Sequence, residues 1–426
     1  MQQKTSVGFV QVLRNGRFLR LWLGQIISAT GDYFYFLAMP ILINRLTGST
    51  AAIGLAMILG FALPQLVFGI PAGVLVDRWD RRRVMIVTDL ARALLVLGGL
   101  FVQSAQTIWI LYVVGFSMSI ASRLFFPARA ALIPALVSDE ELLAANGLSQ
   151  LTETASLLAG PALAGFMIAW FGEGVAFVVD SASFLVSAVA IWSIGAVAAP
   201  VRAASERTVR ALWGELVDGL RFLFGHPILR GTVLSLSVVH LGIGAINVLW
   251  VPLLSRNYGV GPEGMGIVDS LQGVGMALGA LTVGWLAARF SKIRIGVVCL
   301  VVIGLMLGLT GIAPSFVYIM GFTFVLGLAL APVEATLTTL MQQSTPDHSL
   351  GRVSSAFGTF GSLAGIVSMA VAGGAAELVG IPVVYLVCGA LVVSAGLLFG
   401  VLVKEPRPEQ PALVPLASSS APIVGE

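Results

Sequence analysis

Gly73-Val74-Leu75-Val76-Asp77-Arg78-Trp79-Asp80-Arg81-Arg82-Arg83 is a short, strongly charged stretch between two long apolar runs, 51–76 and 84–104. A hydrocarbon core of ~30 Å is crossed by about 20 helical residues, and both runs are long enough. Charge confined to so short a connection predicts two membrane-crossing helices joined at a water-facing turn.

The same pattern continues in both directions. Spans are expected near 21–44, 51–76, 84–104, 107–128, 147–171 and 174–197, then 231–254, 265–288, 295–313, 316–341, 352–376 and 382–403. Apolar residues make up 57% of the chain and charged ones only 11%, with a mean hydropathy of +0.96. A water-solvated surface needs far more charge, whereas one solvated by lipid does not. The 49 glycines suit closely packed membrane helices. The expected fold is therefore an all-α polytopic membrane protein.

Lysine and arginine set the orientation. One set of connections carries Lys4, Arg14, Arg17, Arg20, Arg78 and Arg81 to Arg83, then Arg202, Arg207, Arg210, Arg221, Arg289, Lys292, Arg294, Arg352, Lys404 and Arg407. The opposite set carries only Arg45 and Arg256. Both termini are expected in the cytoplasm, with the chain in a bacterial-type inner membrane. This distribution also accounts for the net charge of +3 and pI near 9.1 without nucleic acid. The start of the chain is polar and basic and its first apolar run is long enough to span, so no cleavable signal peptide is expected. Cys299 and Cys388 lie inside apolar runs, which argues against a disulfide framework or a metal site.

The chain divides into a first six-helix bundle, 1–197, a polar inter-bundle loop, 198–227, a second bundle, 228–404, and a tail, 405–426, expected to be disordered. Within the loop, 208–224 alternates charge with Leu, Trp and Phe at helical spacing, the pattern of an amphipathic interfacial helix. The bundles repeat in consistent order. Phe18-Leu19-Arg20 answers to Ile228-Leu229-Arg230, Pro40 to Pro252, Pro127-Ala-Arg129 to Pro332-Val-Glu334, and Gly165 with Gly172 to Gly373 with Gly380. Parallel repeats imply a binding site between the halves near mid-membrane.

The opening stretch resembles the loop signature of the major facilitator superfamily, Gly, apolar residues, Asp-Arg, then a basic cluster. The resemblance covers nearly the whole chain and implies twelve helices in two parallel six-helix repeats, with transport by alternating access. It also implies a cytoplasmic latch in which Asp77 and Arg78, with Arg81, face the start of span eleven at Arg352, where a carboxylate meets a helix N-terminus. The bland alternative for the arginines is orientation alone. In the second half the corresponding Asp is replaced by Ala288, so the latch is expected on one side only.

Gly160-Pro161-Ala-Leu-Ala-Gly165 in span five resembles the Gly-Pro motif of exporting members, with one glycine of the final pair replaced by Ala164. An ordinary packing kink is the alternative. Ser28-Ala-Thr-Gly31-Asp32, Phe126-Pro127-Ala-Arg129, Ala145-Asn146-Gly147 and Leu350-Gly351-Arg352-Val353 resemble the branch holding macrolide-efflux and enterobactin-export proteins. Lysophospholipid flippases share parts of the pattern.

A charge at the bilayer centre costs at least ~2.5–3.5 kcal/mol, so each needs a partner or a wet cavity. Gln25, Ser28, Asp32 and Tyr35 form one polar stripe on span one, and Ser237, His240, Gly244 and Asn247 another on span seven. Asp32 is the first candidate for a proton-carrying carboxylate. Glu153 is the second, with Gln150 on the same face of span five. The alternative for either is a structural ion pair with an arginine such as Arg123, which resembles the embedded arginine of proton-coupled members in location only. Arg129 and Glu334 hold matching places near the ends of spans four and ten, as a gating pair or as interface anchors. Asp180 and Asp269 lie near the outer surface and are expected to snorkel or serve an outer gate. His240 reads as a packed, hydrogen-bonded residue before it reads as a proton relay.

No phosphate-binding loop, metal-ligand cluster or nucleophile elbow appears in the sequence, so neither a cofactor nor an enzymatic reaction is expected. The leading expectation is a proton-coupled exporter of amphipathic small molecules, acting as a monomer among membrane lipids. Phe34, Phe36, Met57, Phe61, Phe125 and Phe360 would line its cavity. A lipid flippase of the same fold is the alternative; nutrient uptake and a non-transporting receptor fit less well.

Overall fold

The computed structural model describes residues 8–69, 72, 75, 76, 79–197 and 209–403. Among them there is helix and no strand, and twelve helices are long and apolar enough to cross a membrane. These are α1 (Gly16–Thr47), α2 (Thr50–Phe68), α3 (Arg81–Phe101), α4 (Ala105–Ala135), α5 (Leu142–Phe171), α6 (Glu173–Ser193), α7 (Pro227–Asn257), α8 (Pro262–Arg289), α9 (Lys292–Gly311), α10 (Phe316–Gln343), α11 (Ser349–Val379) and α12 (Ile381–Leu402).

Each expected span falls on one of these helices, several of which begin earlier because their caps lie upstream of the apolar run. The Asn15 side chain accepts from the N–H groups of Arg17 and Phe18 at the start of α1, at 3.1 and 3.3 Å. Asp80 accepts from the Arg83 N–H at 2.7 Å to begin α3, and Ser291 from the Arg294 N–H at 3.3 Å to begin α9. Such caps satisfy N–H groups with no intrahelical partner. Gly48 ends α1 in the left-handed region, φ 60°, a conformation that glycine adopts without steric cost. α2 widens into a π turn at Ile58–Ala62, and α7 ends in another at Leu253–Asn257, directly after Pro252.

Helix packing repeats between the halves. α1 packs on α5 and α6, and α3 on α4 and α6; likewise α7 packs on α11 and α12, and α9 on α10 and α12. The two sets meet mainly through α5 against α8 and α2 against α11. The first of these contacts depends on Gly165 and Gly266: a methyl group on Gly165 would stand 3.1 Å from the Gly266 Cα. Small residues that let backbones touch are the usual means of helix association in lipid.

Cross-half side-chain hydrogen bonds gather at the end opposite the start of α1. Thr50 Oγ1 donates to the Gly373 carbonyl at 2.7 Å, Asn44 Nδ2 to Ser255 Oγ at 3.0 Å, and Arg256 to Asn44 Oδ1 and the Gly48 carbonyl at 2.6 and 2.7 Å. Deeper in, the Ala162 N–H donates to Ser270 Oγ at 3.1 Å. Towards the other end a cleft of about 440 Å³ separates α2 and α4 from α11, between Gln65, Arg123 and Pro127 on one side and Ser354, Ser355 and Ser362 on the other.

A helix forms at Val209–Gly225, as the periodicity anticipated. It docks against protein: Leu223 is buried with Leu229, Val233, Val353 and Ala356, and Phe224 meets Phe360 edge to face at 5.4 Å. Gly219 lies directly under the Arg352 backbone of α11. The expected tail, 405–426, lies outside the described residues.

Candidate functional site

A cavity of about 540 Å³ opens among α1 to α5. The anticipated stripe of α1 forms one wall, since Gln25, Ser28, Asp32 and Tyr35 all line it. Facing them are Arg92 of α3, Arg123, Phe125 and Arg129 of α4, and Glu153 and Ser156 of α5. Arg123 and Phe126 line both this cavity and the cleft beside α11, so the two spaces adjoin.

One ion pair of the cavity wall lies within the first half. Arg129 Nη2 donates to Glu153 Oε1 at 2.8 Å, and Nη1 reaches Gln25 Oε1 at 3.4 Å. Gln25 Nε2 donates in turn to Ser187 Oγ of α6 at 3.2 Å. Arg129 and Glu334 make no ion pair among the described residues; Glu334 is exposed on α10, and α5 supplies the nearer carboxylate. Arg123 has no ion-pair partner among the described residues, and its buried Nε has no hydrogen-bond partner. The arginine that pairs with Glu153 is thus Arg129, one helical turn and a half beyond Arg123.

Other expected residues scatter. Gln150 is exposed and lies outside the cavity. His240 is half-buried, its Nδ1 2.8 Å from the Leu236 carbonyl and its ring against Gly361, away from both internal cavities. Asn247 lines a second cavity of about 280 Å³ between the halves. Phe36, Phe61 and Phe125 line the first cavity and Met57 the second, whereas Phe34 is core and Phe360 packs on Phe224. Gly160 lies against the Tyr33 ring, Pro161 lines the second cavity, and Gly165 makes the α5–α8 contact.

Asp77 and Arg78 lie outside the described residues. Their neighbours serve their own half: Asp80 caps α3, and Arg82 donates to the Ile191 and Trp192 carbonyls at the end of α6. Arg81 makes no ion pair among the described residues, and Arg352 is exposed where the linker helix crosses α11.

Two buried charges in α3 escaped the sequence reading. Asp89 and Arg92 form an ion pair whose side chains are 0% and 2% exposed, and the guanidinium lies between the rings of Phe125 and Phe184 at 4.5 and 4.2 Å. An Asp and an Arg three residues apart inside an apolar span were the available signal. Asp180 does not snorkel: it is fully buried, with Oδ1 against Gly31, and with Asp32 it lies within electrostatic reach of Arg92. Asp269 also points inward, accepting from Trp250 Nε1 at 2.9 Å in the second cavity. Around Arg92 the carboxylates Asp32, Asp89 and Asp180 outnumber the cation, in surroundings where unpaired charge is costly.

Twelve membrane-crossing helices among the described residues, duplicated packing and a charge-bearing cavity within one half define a transporter of the major facilitator superfamily. Within it the chain belongs to the family described as transmembrane secretion effectors, which matches residues 8–426. It is 31% identical to the uncharacterized MFS-type transporter YfiS of Bacillus subtilis (strain 168), over 91% of this chain and 94% of that protein. It is 27% identical to macrolide efflux protein A of Streptococcus pyogenes, over 88% and 93%. The solved nucleoside transporter NupG shares the fold with a TM-score of 0.71 at 12% identity, covering 92% of this chain and all of that one (100%). The protein is therefore a multi-pass membrane transporter and not an enzyme.

Proposed function

We propose that this chain is a proton-coupled exporter of amphipathic small molecules, working by alternating access in a bacterial cytoplasmic membrane with both termini inside. The observation that carries the reading is the shared cavity wall, where Asp32 and the Arg129–Glu153 pair face one space. That space adjoins a cleft on the side of the chain's N-terminus, while hydrogen bonds close the far end. The efflux named for macrolide efflux protein A supports the direction of transport.

In this reading the bundles 1–197 and 228–404 rock about the α5–α8 and α2–α11 contacts, with 198–227 as their tether. Substrate enters the cavity from the cytoplasm. Asp32 carries the coupled proton, and protonation of Glu153 frees Arg129 to turn towards Gln25 or the substrate. Pro161 and Gly165 sit where α5 meets α8, with Gly160 against Tyr33 of α1, and together they form the pivot. Asp77, Arg78, Arg81 and Arg352 form the cytoplasmic latch of the opposite state, with Arg129 and Glu334 meeting as the cleft closes.

The test is transport of a labelled macrolide in proteoliposomes under an imposed pH gradient. Gradient-driven movement, lost in Asp32→Asn, is the expected outcome. Movement of labelled lysophospholipid that ignores the gradient would instead establish the flippase alternative.

A further inference from the structure

The second cavity differs chemically from the first. The first sets Arg92, Arg123 and Arg129 against Asp32 and Glu153, whereas no Lys, Arg or His is among the described residues lining the second. Its charge is the carboxylate of Asp269, and around it stand the rings of Tyr33, Phe36, Trp250 and Tyr385. Trp250 Nε1 holds Asp269 Oδ1 at 2.9 Å, which fixes the carboxylate and leaves Oδ2 without a protein partner among the described residues. On α12, Tyr385 lines the same cavity, while its hydroxyl is buried and has no hydrogen-bond partner. A lone carboxylate in apolar surroundings is costly. A cation bearing N–H donors offsets that cost. The aromatic faces also favour a cation. Tyr33 and Phe36 line both cavities, so the two spaces adjoin.

We propose that the second cavity is the recognition site for a protonated amine carried on an apolar body, its N–H groups donating to Asp269 Oδ2. The ring faces of Trp250, Tyr33 and Phe36 enclose the cation, and the remainder of the molecule extends towards the arginine-lined first cavity. An anionic head would meet Asp269 with like charge, and a neutral one would leave the carboxylate uncompensated. This proposal rests on the reading of the chain as a small-molecule exporter, but it is tested without transport.

The probe is dansylcadaverine, a primary amine on an apolar fluorophore, compared with its uncharged N-acetyl derivative. Equilibrium binding is measured on the full chain in lipid nanodiscs without any gradient, with empty nanodiscs subtracted. The wild type is expected to prefer the amine by about tenfold, equivalent to ~1.4 kcal/mol. Asp269→Asn abolishes that preference, Asp269→Glu retains part of it, and Asp139→Asn, at an exposed carboxylate remote from both cavities, keeps it whole. Equal binding of both probes to the wild type overturns the proposal, as does a preference that survives Asp269→Asn. Absence of gradient-driven transport with the amine preference intact would remove the exporter reading and leave the amine site standing.

Discussion

Arg129 and Glu153 are joined across α4 and α5 by a 2.8 Å ion pair in which the arginine is 17% exposed and the glutamate 49%. A pair so open to water is screened, and such pairs contribute about 0–1 kcal/mol to stability. Its value lies in position, since the same guanidinium also reaches Gln25 on α1. Glu153→Gln is therefore expected to leave the melting temperature in detergent almost unchanged while lowering gradient-driven transport at least about tenfold, the cost of ~1.4 kcal/mol in the barrier. A large loss of stability with normal transport would assign the pair to structure alone.

The Asp89–Arg92 pair behaves in the opposite way, being cut off from solvent. Removing one member of a buried pair leaves an uncompensated charge and costs ~3–5 kcal/mol, whereas replacing both by apolar residues of similar volume is often close to neutral. Arg92→Met and Asp89→Leu should each sharply lower the midpoint of unfolding in denaturing detergent. The double variant should recover most of the loss, less whatever Arg92 contributes to balancing Asp32 and Asp180.

The seal at the far end rests on a glycine contact and a few hydrogen bonds, so small changes should open it. Gly266→Val places side-chain atoms against the Pro161 backbone of α5. Spin labels at Thr47 and Asn257, on either side of the seal, should report a population with longer separation in this variant. Asn44→Ala removes an acceptor of Arg256 and a donor to Ser255, and should produce a smaller shift in the same direction. Unchanged distances in both variants would mean that the closure depends on contacts elsewhere.

The docking of the linker helix can be tested in the same spirit. Any side chain at Gly219 collides with the Arg352 backbone. Gly219→Val should lift Val209–Gly225 from α11, and trypsin should then cut faster at Arg221, whose side chain is 80% exposed. Cleavage at the wild-type rate would show that Leu223 and Phe224 alone hold the helix.

The fold was legible because lipid imposes a long apolar run for every crossing, and the loop arginines mark where crossings end. The stripe Gln25, Ser28, Asp32, Tyr35 was legible for the same reason: helical spacing on one element fixes one face. Spacing says nothing of which helix lies opposite. The repeats place Arg129 and Glu334 at matching positions, as a gating pair or as interface anchors, and α5 brings Glu153 to Arg129. Asp89 and Arg92 are hidden by the strong apolar average of their span, a mean hydropathy of 1.9, which two charges do not break. The inward aim of Asp180 and Asp269 follows from helix rotation, set by contacts such as Gly31 with Asp180 and Trp250 with Asp269. The second cavity is assembled from helices of both halves, so no single stretch announces it.

Because Asp89 and Arg92 sit one turn apart on the same helix, α3 carries its own counter-ion when it leaves the ribosome. A nascent segment with a lone arginine at its centre must wait for a partner helix or hold a thinned patch of bilayer around itself. α3 can partition into lipid as a nearly neutral unit before α4 and α6 exist to cover it. The pairing is thus also a solution to the order of synthesis: a deeply buried arginine enters the membrane already chaperoned by its neighbour.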